Sequence, residues 1–391
     1  MAYRSLLWLA QAVSLAALLI PATAVAQTPF YIPQPGEVSG PPGSVIRQEP
    51  VSGAPPGAIA TRVLYRTTAP TGEPMSGSGI VIAPAGPPPP GGRPVIVWAH
   101  PTTGVMPPCA PSLTSTFFEK VQGLEPMLQR GYVVVAPDYP GLGTTGPHAY
   151  LVGEAAARAV LDAARAAAAL PFGADKRFAV WGHSQGGHAV IFTGLAARRY
   201  APDLQLVGVA AAAPATDLGT LLRDDYETPV GKILTAMAIR SWARVFGAPV
   251  DQVVAREEIA TVDRLGGECI ESRLEIYEAA FTERPLRQKF LIVPDLTKIE
   301  PWRDIIVRNT PRPLPTDMPL LMIQGTADTV VEPSVTDAYV RRQCATGSAV
   351  RFLQMPGIGH NPIARDTAPA AVQWMADRFA GLPPPNDCAA R

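Results

Sequence analysis

Apolar residues along this chain fall into two alternating rhythms. Short runs rich in Val, Ile and Ala lie at 61–68, 79–83, 95–99, 132–136, 178–181, 206–213, 320–323 and 350–354, and several are continuous, with no polar alternation. Such runs suit strands covered on both faces, as in a parallel sheet flanked by helices. Between them lie stretches of helical period at 114–130, 154–169, 186–200, 334–344 and 368–379. Eight strands with interleaved helices predict an open α/β fold with a mostly parallel sheet.

One region breaks the rhythm. Residues 216–312 hold no convincing buried strand, and Ile233, Leu234, Met237, Trp242, Val245 and Phe246 fall largely on one helical face. This reads as a helical cap inserted between the sixth and seventh strands, dividing the core into 59–215 and 313–382. The plain reading of that apolar face is cap interior; the sharper one is the lining of an acyl pocket. Residues 27–58, rich in Pro and Gly, read as an extended arm over the surface. The tail, 383–391, is also Pro-rich.

The first 26 residues read as a signal peptide: Arg4, an apolar stretch over 6–20, and an Ala24-Val25-Ala26 cleavage site, which would start the mature chain at Gln27. That stretch is short for a stable membrane anchor. Export to a periplasm or the medium is expected. Four cysteines, Cys109, Cys269, Cys344 and Cys388, then suggest two disulfides, with three pairings possible. None forms a C-x-x-C pair, and no His or Cys cluster has metal-ligand spacing. Zero formal net charge gives no reason to expect nucleic acid, and with 47% hydrophobic and 17% charged residues the chain supports a large core.

The central chemical signal is Gly182-His183-Ser184-Gln185-Gly186-Gly187, between a strand-like and a helix-like run. G-x-S-x-G in that context is a nucleophile elbow, whose turn leaves little room for a Cβ beside the serine. A serine needs a base. Of the five histidines, His183 and His188 read as packing or hydrogen-bonding residues, and His100 and His148 as shapers of the pocket. His360 follows the last strand in a glycine-containing loop that could carry it over the sheet edge. Asp328, after the strand 320–323 and its exit turn, is the expected orienting acid, giving the order Ser, Asp, His. Asp217 competes for that role, whereas Asp366 lies too near His360 along the chain. Asp138, in Pro137-Asp138-Tyr139, reads as structural. The oxyanion hole is expected from the backbone of Gln185 with Thr102 or Thr103, because Pro101 has no N–H to give.

These blocks resemble the secretory lipase family of α/β-hydrolases, which includes fungal lipase A-like enzymes and exported bacterial relatives. The resembling residues are Thr102-Thr103-Gly104 with Cys109-Ala110-Pro111-Ser112, Pro137-Asp138-Tyr139 with Gly141-Leu142-Gly143, the elbow, Gly325-Thr326-Ala327-Asp328, and Gly359-His360. The resemblance implies an eight-stranded sheet, a Ser184–His360–Asp328 triad, a lid-like cap and no cofactor. It also implies the pairs Cys109–Cys269 and Cys344–Cys388. The expected activity is hydrolysis of small-molecule or lipid esters with apolar acyl groups by a monomeric enzyme. The same residues would serve an acyltransferase or an amidase, and a non-catalytic binding protein could keep the hydrolase shell.

Overall fold

The computed structural model describes residues 29–270 and 289–390. The expected signal peptide and residues 271–288 of the expected cap lie outside them. A nine-stranded sheet runs through the core: β1 Val45–Pro50, β2 Ala58–Thr68, β3 Pro74–Pro84, β4 Arg93–Ala99, β5 Val133–Asp138, β6 Ala174–His183, β7 Gln205–Ala212, β8 Leu320–Gly325 and β9 Val350–Met355. Their spatial order is β1-β2-β3-β5-β4-β6-β7-β8-β9. The pairs β1/β2, β2/β3 and β3/β5 are antiparallel; every pair from β5 through β4 to β9 is parallel.

The parallel centre is where the apolar runs are densest. All residues of β5 and β8 are buried. Alternation sends Val95 and Val97 of β4 to one face and Ile96 and Trp98 to the other. The first face packs against α3 (Gly153–Ala168), α4 (Gln185–Tyr200) and α9 (Pro333–Cys344). The second packs against α1 (Phe117–Lys120), α2 (Leu124–Gln129) and α10 (His360–Phe379). Small residues make this closeness possible: α3 buries eight alanines. A third core lies between β7 and β8 in sequence, where α5 (Leu218–Asp224), α6 (Pro229–Phe246), α7 (Ile259–Leu265) and α8 (Trp302–Asn309) gather around Met237, Trp242 and Trp302. Among the described residues, no helix is long and apolar enough to cross a membrane.

The structure corrects three expectations. Among the described residues the sheet has nine strands rather than eight. The added one, β1, comes from the Pro/Gly-rich arm, which also buries Tyr31 and bonds its hydroxyl to Ser112 Oγ at 2.7 Å. An edge strand tolerates the proline that ends β1, because one side of it needs no ladder partner. The single helix expected over 114–130 is two short ones. Gly123 between them adopts φ +86°, and Gln122 turns inward, its Oε1 accepting from Trp98 Nε1 and its carbonyl from Trp181 Nε1. The last helix begins at His360 rather than at 368. Pro362 lies in its first turn, where an N–H would have no intrahelical acceptor, so the ring does not prevent an earlier start.

Candidate active site

β6 ends at His183 and α4 begins at Gln185, leaving Ser184 alone at the bend with φ +57° and ψ −117°. Such a conformation costs on the order of 1–3 kcal/mol for a non-glycine residue and persists only where its surroundings impose it. Here the Ser184 N–H donates to Ala212 O at 2.9 Å and its carbonyl accepts from His188 N–H at 3.0 Å. Sterics dictate the flanking glycines: a Cβ on Gly182 would stand 2.3 Å from Gly186 O, and one on Gly186 1.9 Å from Ala99 O.

His360 Nε2 lies 2.9 Å from Ser184 Oγ, and its Nδ1 lies 2.8 Å from Asp328 Oδ2. The carboxylate can only accept, so Nδ1 carries the proton and Nε2 is left to accept from the serine hydroxyl. Asp328 is buried, which by itself pushes its pKa up. The bond from His360 and the Val330 and Val331 N–H groups, each 2.9 Å from Oδ1, outweigh that and hold the carboxyl below its ordinary value. Gln324 Nε2 donates a further bond to Oδ2 at 3.2 Å. The two loops are knit together: Thr326 N–H donates to Met355 O, Ala327 N–H to Ile358 O, and Gly357 N–H to Thr326 Oγ1. Asp217 is not part of this chain; its Oδ1 accepts from Thr220 N–H in α5. Asp366 pairs with its neighbour Arg365.

The other four histidines are buried, and burial drives all their pKa values down: His100 and His183 to about 3, His148 and His188 to about 4. They are neutral. His183 lies against the His360 ring with centroids 4.7 Å apart, and His188 Nε2 donates to Asn309 O at 2.8 Å. His148 Nδ1 donates to Pro140 O at 3.1 Å, so its Nε2 accepts from Gln185 Nε2 at 3.3 Å. His100 Nδ1 donates to Pro101 O at 2.6 Å. Asp138 is buried and accepts from Ser78 Oγ and from the side chain and N–H of Ser112, a structural hub at the end of β5.

A narrow, partly open cleft lies beside the serine. Ser184, Gln185 and Thr102 line it together with Tyr150, with Leu218, Leu221 and Leu222 of α5, and with Leu234 of α6. The apolar face of α6 therefore divides: Ile233, Met237 and Trp242 are buried in the helical core, while Leu234 lines the cavity. Thr103 is not among the lining residues; its hydroxyl is buried without a partner among the described residues, and its carbonyl accepts from Ile270 N–H at 2.8 Å. Gln185, as the first residue of α4, has an N–H with no intrahelical acceptor. Both disulfides form, Cys109–Cys269 and Cys344–Cys388, and the first ties the loop after β4 to the segment following α7. Tyr150 and Gln324 touch the site but carry no sequence signal, because their partners lie 48 residues away in Thr102 and inside a strand-end loop respectively.

Residues 110–387 match the model of the secretory lipase family. A protein described as a probable inactive lipase from Mycobacterium tuberculosis is 27% identical over 91% of this chain and 82% of its own length. Lipase A of Arthroderma benhamiae is 26% identical over 93% of this chain and 81% of its own. The closed state of Candida antarctica lipase A superposes with a TM-score of 0.74 at 19% identity, covering 92% of this chain and 89% of that one, and so shares the fold. A match over more than half of the chain, which takes in the elbow, the helical segment between β7 and β8 and both loops that carry Asp328 and His360, shows the membership: the chain belongs to the secretory lipase family.

Proposed function

We propose that this chain is an exported serine hydrolase of carboxylic esters with apolar acyl groups, working through an acyl-enzyme. Family membership supports the coarser part, a hydrolase of the lipase and esterase type. The observation that carries the finer part is the unbroken chain Ser184 Oγ–His360 Nε2 and His360 Nδ1–Asp328. In this reading His360 takes the serine proton as Oγ attacks the ester carbonyl, and Asp328 holds the imidazolium that forms. The negative oxygen of the tetrahedral adduct is met by the Gln185 N–H and the Thr102 N–H. The dipole of α4 acts in the same sense. His360 then protonates the leaving alcohol, and water activated by the same nitrogen releases the acid. The leucines of α5 and α6 take the acyl group, with 216–312 as the cap over it. The signal-like N-terminus and two disulfides support export.

Turnover of a p-nitrophenyl ester series by the wild type and by Ser184→Ala tests this. The variant should lose on the order of 10⁶-fold in kcat; activity near wild type would refute the assignment. A second reading, a non-catalytic binding protein on a hydrolase shell, draws on the description of one relative as a probable inactive lipase. Labelling of Ser184 by a fluorophosphonate separates the two, since only an activated serine reacts.

A further inference from the structure

Pro101 gives the loop after β4 one backbone donor fewer, and its next residues are held by three separate tethers. His100 Nδ1 holds the carbonyl of Pro101, and Ile270 N–H holds the carbonyl of Thr103. Thr102 is held through its side chain: its Oγ1 lies 3.0 Å from the Tyr150 hydroxyl. Tyr150 is only 2% exposed, and burial raises its pKa to about 12, so the phenol stays protonated. A buried O–H left without an acceptor costs about 1–3 kcal/mol, which favours the phenol as donor in this pair. Thr102 Oγ1 then accepts, and its own proton is directed elsewhere. Thr102 lines the same cavity as Ser184 and Gln185, where that proton would meet the substrate.

Tyr150 is itself fixed by α6. Its N–H donates to Ser241 Oγ at 2.9 Å, Ser241 Oγ donates to His148 O at 2.6 Å, and Trp242 Nε1 donates to Tyr150 O at 2.9 Å. We infer that the Thr102 hydroxyl is a third oxyanion donor and that Tyr150 is the positioning residue that aims it, anchored to the helical segment through Ser241 and Trp242. The inference rests on the ester-hydrolase reading above. As the ester oxygen becomes negative, Thr102 Oγ1–H donates to it while Tyr150 O–H donates to Oγ1; no proton changes owner.

The test is steady-state kinetics on a short p-nitrophenyl ester, with a trifluoromethyl ketone as a mimic of the charged adduct. Thr102→Val, which keeps the shape and the backbone N–H, should lower kcat on the order of 10²-fold and leave KM within about twofold. Thr102→Ser should restore most of it. Tyr150→Phe should lower kcat by roughly tenfold or more, again without moving KM, and weaken ketone binding in proportion. Combined with Thr102→Val it should add nothing, since the two act in one chain. The inference is overturned if Thr102→Val keeps wild-type kcat, if the two losses multiply, or if ketone affinity is unchanged in both variants. If Tyr150→Phe does not fold, Thr102→Val and Thr102→Ser decide alone. A wild type that neither turns over esters nor labels with a fluorophosphonate would overturn the hydrolase reading as well; a wild type that does both, with Thr102→Val as active, would overturn only this one.

Discussion

Ser184 stands between two sides built in different ways, which in the proposed reaction supply the base and the oxyanion donors. On the base side, Asp328 and His360 leave the ends of β8 and β9, and three hydrogen bonds knit their loops to each other. There Asp328 accepts from His360, Gln324, Val330 and Val331, all at strand ends or in their exit loops. On the oxyanion side, the loop carrying Thr102 is held by residues far along the chain: Tyr150, Ile270, and Cys269 through its disulfide. Two of those three come after β7, among the helices that lie over the cavity. The base side is therefore as stable as the sheet. The oxyanion side is only as well placed as the helical segment that grips it, so a shift of that segment would alter transition-state stabilisation and not only access.

The largest effects should come from breaking the base side. His360→Ala should cost about as much as Ser184→Ala, on the order of 10⁶-fold in kcat, because the two act as a unit. Asp328→Asn should cost less, about 10⁴-fold, by offering His360 the wrong tautomer. The melting temperature should change little for Ser184→Ala, which also removes no buried apolar contact. Single-turnover kinetics on a p-nitrophenyl ester would check the ranking; an Asp328→Asn enzyme as active as wild type would mean that another group orients the imidazole.

The disulfides give a direct contrast between the two sides. Removing either should destabilise the fold by about 2–5 kcal/mol, since they close spans of 160 and 44 residues. Only the loss of Cys109–Cys269 should also reduce kcat at a temperature where both variants are folded, by roughly tenfold, because that bridge sits beside the loop of Thr102. Serine replacements at both pairs, compared by urea unfolding and by kcat, test this. Equal kcat in the two variants would show that the oxyanion loop does not depend on the bridge.

The same contrast explains what was legible in the sequence. The elbow, Asp328 and His360 belong to short motifs at strand ends, where local sterics and chain order fix their placement, and Gly182 and Gly186 are required by contacts under 2.5 Å. The parallel strands announced themselves as unbroken apolar runs. The oxyanion side is long-range. Nothing near Tyr150 reveals that its hydroxyl meets Thr102, and the choice between Thr102 and Thr103 depends on which faces the cavity. Strand β1 escaped notice because an edge strand in a Pro-rich arm shows neither continuous burial nor clean alternation, with the pattern of three half-buried residues followed by alternating exposure. The break at Gly123 was likewise decided by Trp98 and Trp181, far away in sequence.

The smallest effect, and the one that separates the two sides by pH, comes from the neutral histidines. His100 and His148 belong to the oxyanion side, His183 and His188 to the elbow. All four have folded-state pKa values of about 3 to 4, against about 6.5 when unfolded. Below pH 6.5 the unfolded chain binds more protons than the folded one, so stability falls as pH drops from 6.5 towards 4. Asp162, raised by burial to about 6, and Asp138, also raised by burial, act in the opposite sense over part of that range, because the folded state holds their protons more tightly. Asp328 is depressed, so its contribution is intact above about pH 4 and is lost only in stronger acid. Four histidines outnumber these two carboxyls, so a net loss of stability remains between pH 6 and 5. Urea midpoints at pH 7, 6 and 5 would measure it, and His188→Gln, which keeps a donor towards Asn309 O, should flatten the slope by about 1.4 kcal/mol per unit. Within the folded state, protonating His148 would also set two donors face to face at Gln185 Nε2, on the residue whose N–H is the proposed oxyanion donor. A midpoint unchanged from pH 7 to 5 would mean that these histidines find proton acceptors when charged, and that the oxyanion side is no more sensitive to acid than the base side.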